Sequence, residues 1–234
     1  MTRFPSASAT DRRWERERGE LLDRIDAEFD ATREYTGRKR LDPRIRQSMA
    51  NVPRHLFVPP AEESLAYINH ALPIGCGQTI SQPFIVALMT ELLETRPDHV
   101  VLEVGTGSGY QAAVLSPLIK KLYSIEVIEE LATSAAERLQ RLGYDNVEVR
   151  AGDGGLGWPE NAPYDGIIVT AAAHAVPPAL VEQLKPGGRL VIPVGGPYGQ
   201  DLRLIEKRPD GSVKSRSVIP VAFVPLTGGK RERR

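Results

Sequence analysis

The chain has 234 residues, with 30 Lys plus Arg against 30 Asp plus Glu, a formal net charge of zero and 41% hydrophobic residues. That length suits one α/β domain with appendages, and the balanced charge excludes broad electrostatic capture of nucleic acid or an anionic membrane. A single cysteine, Cys76, rules out an intrachain disulfide or a cysteine metal cluster and points to a reducing cytoplasm.

The first ten residues read as a disordered start without the apolar stretch of a secretion signal. The most apolar internal run, IIVTAAA at 167–173, falls far short of the roughly 20 residues that span a bilayer. From Asp11 to Tyr35, Trp14, Leu21, Leu22, Ile25 and Phe29 recur at helical spacing. They predict an amphipathic helix, capped by Thr10 or Asp11, that packs on the main body. GRKR at 37–40 reads as a solvated linker. Asp42-Pro43 is a cap followed by proline at the first helical position, and Ile45, Met49 and Val52 line one face of a short helix. Residues 71–84 are turn-rich and read as an ordered binding loop. Pro83 then opens a helix carrying Ile85, Leu88, Met89 and Leu92.

From residue 99 the pattern alternates. Strands are predicted at 99–104, 122–127, 147–151, 164–170 and 189–194, with helices at 109–119, 129–142 and 176–184. Such alternation implies a mostly parallel sheet with helices on both faces. Segments 202–207 and 217–224 flank Asp210-Gly211 as a C-terminal hairpin. The chain divides into a charged N-terminal extension at 1–40, a substrate-side segment at 41–98, an α/β core at 99–228 and a basic tail at 229–234.

VLEVGTGSGY at 101–110 carries the first chemical signal. A strand runs into Gly105, Gly107 and Gly109, where the backbone turns sharply and approaches a ligand without Cβ interference. The ligand also meets free N–H groups at a helix start. A dinucleotide fingerprint needs its third glycine at 110, where this chain has Tyr110. The spacing therefore favours a cofactor without pyrophosphate. Glu126 ends the next strand, placed to accept hydrogen bonds from ribose hydroxyls. Asp153 and Gly154, in GDG after the third strand, face the adenine edge. Glu103 either anchors the glycine loop or meets the cofactor's amino end. His55, His70, His99 and His174 show no metal-ligand spacing, and no metal is expected.

Together these features resemble a Rossmann-like class I S-adenosylmethionine-dependent methyltransferase, with KPGGRLVIPVGG at 185–196 as its late helix-to-strand turn. The upstream sequence narrows the resemblance. VPRHLFVP at 52–59, Tyr67, Asn69, LPIGCGQTISQP at 72–83 and VAFVPLTG at 221–228 resemble the protein-L-isoaspartate O-methyltransferases over about residues 41–228. The resemblance implies methyl transfer from S-adenosylmethionine to the free α-carboxylate of L-isoaspartyl residues in damaged proteins and peptides. Spacing alone leaves Ser81 either a helix cap or an orienting hydroxyl; the resemblance makes it the active-site residue. By the same carry-over Thr79 and Ile80 line the cofactor and acceptor pocket, and Thr227 reaches the cofactor's amino-acid end. A cytoplasmic monomer is expected, with damaged proteins as partners and neither nucleic acid nor membrane. The alternatives are an RNA or small-metabolite methyltransferase on the same fold, or a non-catalytic cofactor-binding module.

Overall fold

The computed structural model describes residues 9–196 and 198–228. The expectations for residues 1–8 and for the tail at 229–234 lie outside them. Five apolar strands, β3 (Val100–Val104), β4 (Lys121–Glu126), β5 (Val147–Ala151), β6 (Tyr164–Val169) and β7 (Leu184–Gly196), form the parallel part of one sheet. Two antiparallel strands extend it, β8 (Gly199–Lys207) and β9 (Val213–Val221), giving the order β5-β4-β3-β6-β7-β8-β9. The chain enters at the centre, winds outward to β5 and returns to β6 on the other side of β3. Open α/β sheets bind ligands where the winding reverses, beyond the carboxyl ends of the strands. Here that point lies between β3 and β6.

Helices α4 (Tyr110–Leu115), α5 (Glu129–Arg141) and α6 (Pro178–Glu182) connect the strands. Two are shorter than their spacing predicts. α4 stops at Leu115 because Pro117 follows, and Ser116–Leu118 tighten into a 3₁₀ turn. β7, in contrast, continues past 194 because its end pairs antiparallel with β8. The expected hairpin is thereby part of a three-stranded meander. Buried side chains form two clusters, one joining the upstream helices and α4 to the sheet, the other built around Trp158, Tyr164, Leu180 and Ile192.

The upstream helices are α1 (Ala9–Thr36), α2 (Pro43–Asn51) and α3 (Pro83–Leu93). α1 is already helical at Ala9, so Thr10 and Asp11 lie inside it instead of capping it. Its apolar stripe packs as the spacing demands: Trp14, Leu21, Leu22, Ile25 and Phe29 are all buried. Trp14 stacks on His55 with ring centroids 4.8 Å apart, and Phe29 meets Phe84 edge-on at 5.5 Å. Asp42 caps α2 by accepting the Arg44 N–H at 2.7 Å. The linker at 37–40 is not merely solvated, since Arg38 ion-pairs with Glu94 at the end of α3. Residues 71–84 are more regular than expected. β1 (Leu72–Gly75) and β2 (Gln78–Ile80) form a hairpin whose turn places Cys76 and Gly77 at φ +52° and +70°.

Phe29 joins α1 to the first turn of α3, beside the hairpin. Phe29→Ala is expected to cost about 3–5 kcal/mol in urea denaturation, as for other buried aromatic truncations. A loss below about 1 kcal/mol would contradict the docking of α1.

Candidate functional site

A cleft of about 740 Å³, counted to its open mouth, lies at the reversal point and is lined by the 105–108 loop, Glu126, Gly154, Thr170, the β2 strand and residues 224–227. Gly105 sits at φ +94°, where an added Cβ would strike the Thr170 hydroxyl. That hydroxyl donates to the Gly105 carbonyl at 2.5 Å, so β3 and β6 are clasped at their ends. Gly107, at φ +53°, donates its N–H to Glu126 Oε2 at 2.8 Å, while Ile128 N–H donates to Oε1 at 3.1 Å. Glu126 is buried, yet it lines the cleft with its carboxylate held by two backbone donors. Its remaining lone pairs are free to accept from vicinal hydroxyls.

Three residues read as cofactor ligands do not line the cleft. Gly109 starts α4, and a Cβ there would press on Leu139 at 3.2 Å, so its smallness serves helix packing. Asp153 caps a 3₁₀ turn by accepting the Gly155 N–H at 2.8 Å, and its carboxylate lies against Gly228. Its neighbour Gly154 does reach the cleft, pressed so tightly on Val104 that no side chain fits. Glu103 is fully buried beneath the loop. Ser124 Oγ lies 2.5 Å from Glu103 Oε2 and 2.6 Å from the Thr106 hydroxyl, while Glu103 Oε1 meets no partner. Burial pushes this carboxyl up to about 8, with the nearby Glu126 charge adding to the rise. Of its two sequence readings, the geometry has it anchor the loop.

Ser81 lies where the cleft meets a second recess, a groove between the hairpin, α3 and residues 220–224; Thr79, Thr170 and Val224 also line both. Ile80 is buried on the cleft side only, and Thr227 lies at the cleft's exposed margin. Ser81 is not a helix cap. Gln82 holds that position without a side-chain bond, and Asn69 Oδ1 meets the Phe84 N–H at 3.0 Å. Asn69 also donates to Glu28 of α1 at 2.5 Å, tying the N-terminal helix to the start of α3.

Sequence reasoning passed over three supports. Arg54 is completely buried, donating to the carbonyls of Ala66 at 2.9 Å and Ser81 at 2.8 Å, with His70 at 3.4 Å. A charged residue inside the apolar, proline-bounded VPRHLFVP was the available signal. Thr170 follows a strand as many threonines do, and nothing nearby marks it. Gln200 clamps the Phe223 backbone, accepting its N–H at 2.6 Å and donating to its carbonyl at 3.0 Å. Residues 224–226 are then strapped to Ala172 by two 2.8 Å backbone bonds, closing one side of both recesses.

A family model described as protein-L-isoaspartate(D-aspartate) O-methyltransferase matches residues 32–231. The chain belongs to that family. A Syntrophobacter fumaroxidans protein-L-isoaspartate O-methyltransferase 2 is 59% identical over 91% of this chain and 86% of its own length. A Polaromonas relative of the same description is 58% identical over 89% of this chain and 99% of its own. A solved protein-L-isoaspartate O-methyltransferase superposes with a TM-score of 0.78 at 29% identity, covering 90% of this chain and 66% of that one. A Plasmodium falciparum structure holding S-adenosyl-L-homocysteine shares the fold, with a TM-score of 0.72 at 24% identity over 90% of this chain and 98% of that one. Among the described residues, the match takes in the hairpin, the glycine loop and the 220–228 strap, parts of this protein-L-isoaspartate O-methyltransferase family member that line one cleft together with Ser81.

Glu103 binds its proton more tightly folded than unfolded. Its contribution to stability is thus fully present below about pH 4.5 and is lost as the pH rises through about 8. Glu103→Gln is expected to flatten the stability loss over that window by a few kcal/mol, measured by urea denaturation at several pH values. Equal slopes in the two proteins would contradict a buried neutral carboxyl.

Proposed function

We propose that this chain transfers a methyl group from S-adenosyl-L-methionine to the free α-carboxylate of L-isoaspartyl residues in damaged proteins and peptides, with Ser81 orienting the acceptor. The observation that carries the reading is the position of Ser81 on the wall shared by the cleft and the groove. A group bound in either recess reaches the other there.

The residues present fit the cofactor. Gly105 and Gly107 bring bare backbone to the cleft wall, and Glu126 offers carboxylate lone pairs for ribose hydroxyls. Thr227 stands at the cleft margin for the amino-acid end. Gly154 lines the cleft without a side chain, which suits the adenine ring. When bound, S-adenosyl-L-methionine supplies an electrophilic methyl on a sulfonium cation.

The chain's own work is positioning. A carboxylate acceptor ordinarily has a pKa below about 4 and is already an anion at neutral pH, so no side chain need take a proton from it. The Ser81 hydroxyl donates one hydrogen bond to the acceptor and leaves the other oxygen for attack. Thr79 and Thr170 flank it, and Ile85, Val221 and Val224 keep the groove apolar, limiting water around the anion. In-line placement of this kind is worth up to roughly 7–11 kcal/mol. The neutral composition and single cysteine fit a cytoplasmic monomer working without nucleic acid or membrane. No described helix is long and apolar enough to cross a membrane.

Two synthetic peptides that differ only in L-isoaspartyl or L-aspartyl at one position test the activity with labelled cofactor. Labelling of the isoaspartyl peptide alone, as a base-labile ester, is expected; labelling of neither would sink the assignment. Ser81→Ala should lower kcat/KM about 10- to 100-fold, the loss of one hydrogen bond to a charged group. S-adenosyl-L-homocysteine affinity should stay within about threefold, since the serine serves the acceptor.

A further inference from the structure

We propose that the buried guanidinium of Arg54 is the counter-charge of the acceptor carboxylate, a positioning residue that acts through the Ser81 loop. The inference rests on the groove being the acceptor site and goes on to name what recognises the acceptor's charge.

Burying a cation is costly unless it is paired. Arg54 is 0% exposed, and it is met by the backbone carbonyls of Ala66, Ser81 and His70 and by the Tyr110 phenol, with no carboxylate among its partners. The guanidinium carbon lies 4.7 Å over the Tyr110 ring, and Nη1 meets no acceptor. The guanidinium satisfies the Ala66 and Ser81 carbonyls, but neutral donors satisfy carbonyls at smaller cost, so the charge itself has a further use. The bond from Nη2 to the Ser81 carbonyl, at 2.8 Å, places that charge one peptide group behind the Ser81 hydroxyl. No Lys, Arg, Asp or Glu lines the groove, whose one titratable wall residue is the exposed His70. An acceptor carboxylate entering it meets hydroxyl and backbone dipoles in front and the Arg54 charge behind.

Direction follows from the chemistry. The carboxylate is fully charged when it binds and loses its charge as the O–CH₃ bond forms and the S–CH₃ bond breaks. Arg54 therefore stabilises the bound ground state more than the transition state. Its loss should raise KM for the peptide without lowering kcat, which should stay level or rise.

Binding of the isoaspartyl peptide and of the same peptide with its α-carboxylate converted to the carboxamide, each to the S-adenosyl-L-homocysteine complex, isolates the charge. In the wild type the carboxylate peptide should bind at least about tenfold tighter. In Arg54→Met that ratio should fall to within about twofold of unity, whereas Arg54→Lys, which keeps the charge, should retain most of it. A purely structural Arg54 would weaken both peptides equally and leave the ratio unchanged in Arg54→Met, which would overturn the inference. If Arg54→Met does not fold, the wild-type ratio in salt decides. A buried charge is weakly screened, so the preference should survive about 0.5 M NaCl, and its collapse would overturn the inference. Absence of any isoaspartyl methylation by the wild type is a separate outcome, which removes the acceptor site and this inference with it.

Discussion

Arg54 stays protonated at neutral pH even though burial pulls its pKa down to about 10. A buried cation with no acid beside it must be met by carbonyl dipoles, and it collects them from Ala66, Ser81 and, at longer range, His70. Those carbonyls belong to segments far apart in sequence, the turn after the 3₁₀ stretch Pro60–Leu65 and the exit of the β1–β2 hairpin. Turning them toward one guanidinium sets the path of the loop and leaves Ser81 on the wall between the two recesses. Tyr110, under the guanidinium, opens α4 directly after the glycine loop. One side chain thus couples the Ser81 loop to the glycine loop.

The remaining charges are held with similar economy. Glu126 is fixed by two backbone donors and turns its carboxyl group toward the cleft, whereas Glu103, one strand over, is kept neutral by burial. The two carboxyls thus differ in surroundings: one lines the cleft, while the other bonds through Ser124 to the Thr106 hydroxyl of the loop. The N-terminal helix takes part in the scaffold. Glu28, Asn69 and Phe84 link α1 to the start of α3, and Trp14 packs on His55, the residue after Arg54.

Much of this was legible in the sequence because periodicity reports burial. The stripe on α1, the faces of α2 and α3, the parallel strands and the glycine loop all follow from spacing that one buried face imposes. Glycine placement was read less well by function. Gly105 and Gly107 shape the cleft, but Gly109 is small to admit Leu139, and a sequence motif does not distinguish those demands. An acid near a strand's end is equally ambiguous: in the structure Asp153 and Glu103 spend their carboxyls on Gly155 and Ser124 and do not line the cleft. Arg54 and Gln200 were missed for a different reason. Each acts on backbone groups distant in sequence, Ser81 and Phe223, and no local pattern announces such a contact. Ser81 itself could not be separated from a helix cap until Asn69 was found at the Phe84 N–H.

A crystal structure of the chain with S-adenosyl-L-homocysteine and an isoaspartyl peptide tests the placement of Ser81 most directly. The peptide's α-carboxylate should lie in the groove with one oxygen about 2.5–3.0 Å from Ser81 Oγ. Its other oxygen should point into the cleft toward the sulfur. A carboxylate seated elsewhere, with Ser81 facing solvent, would contradict the site built here.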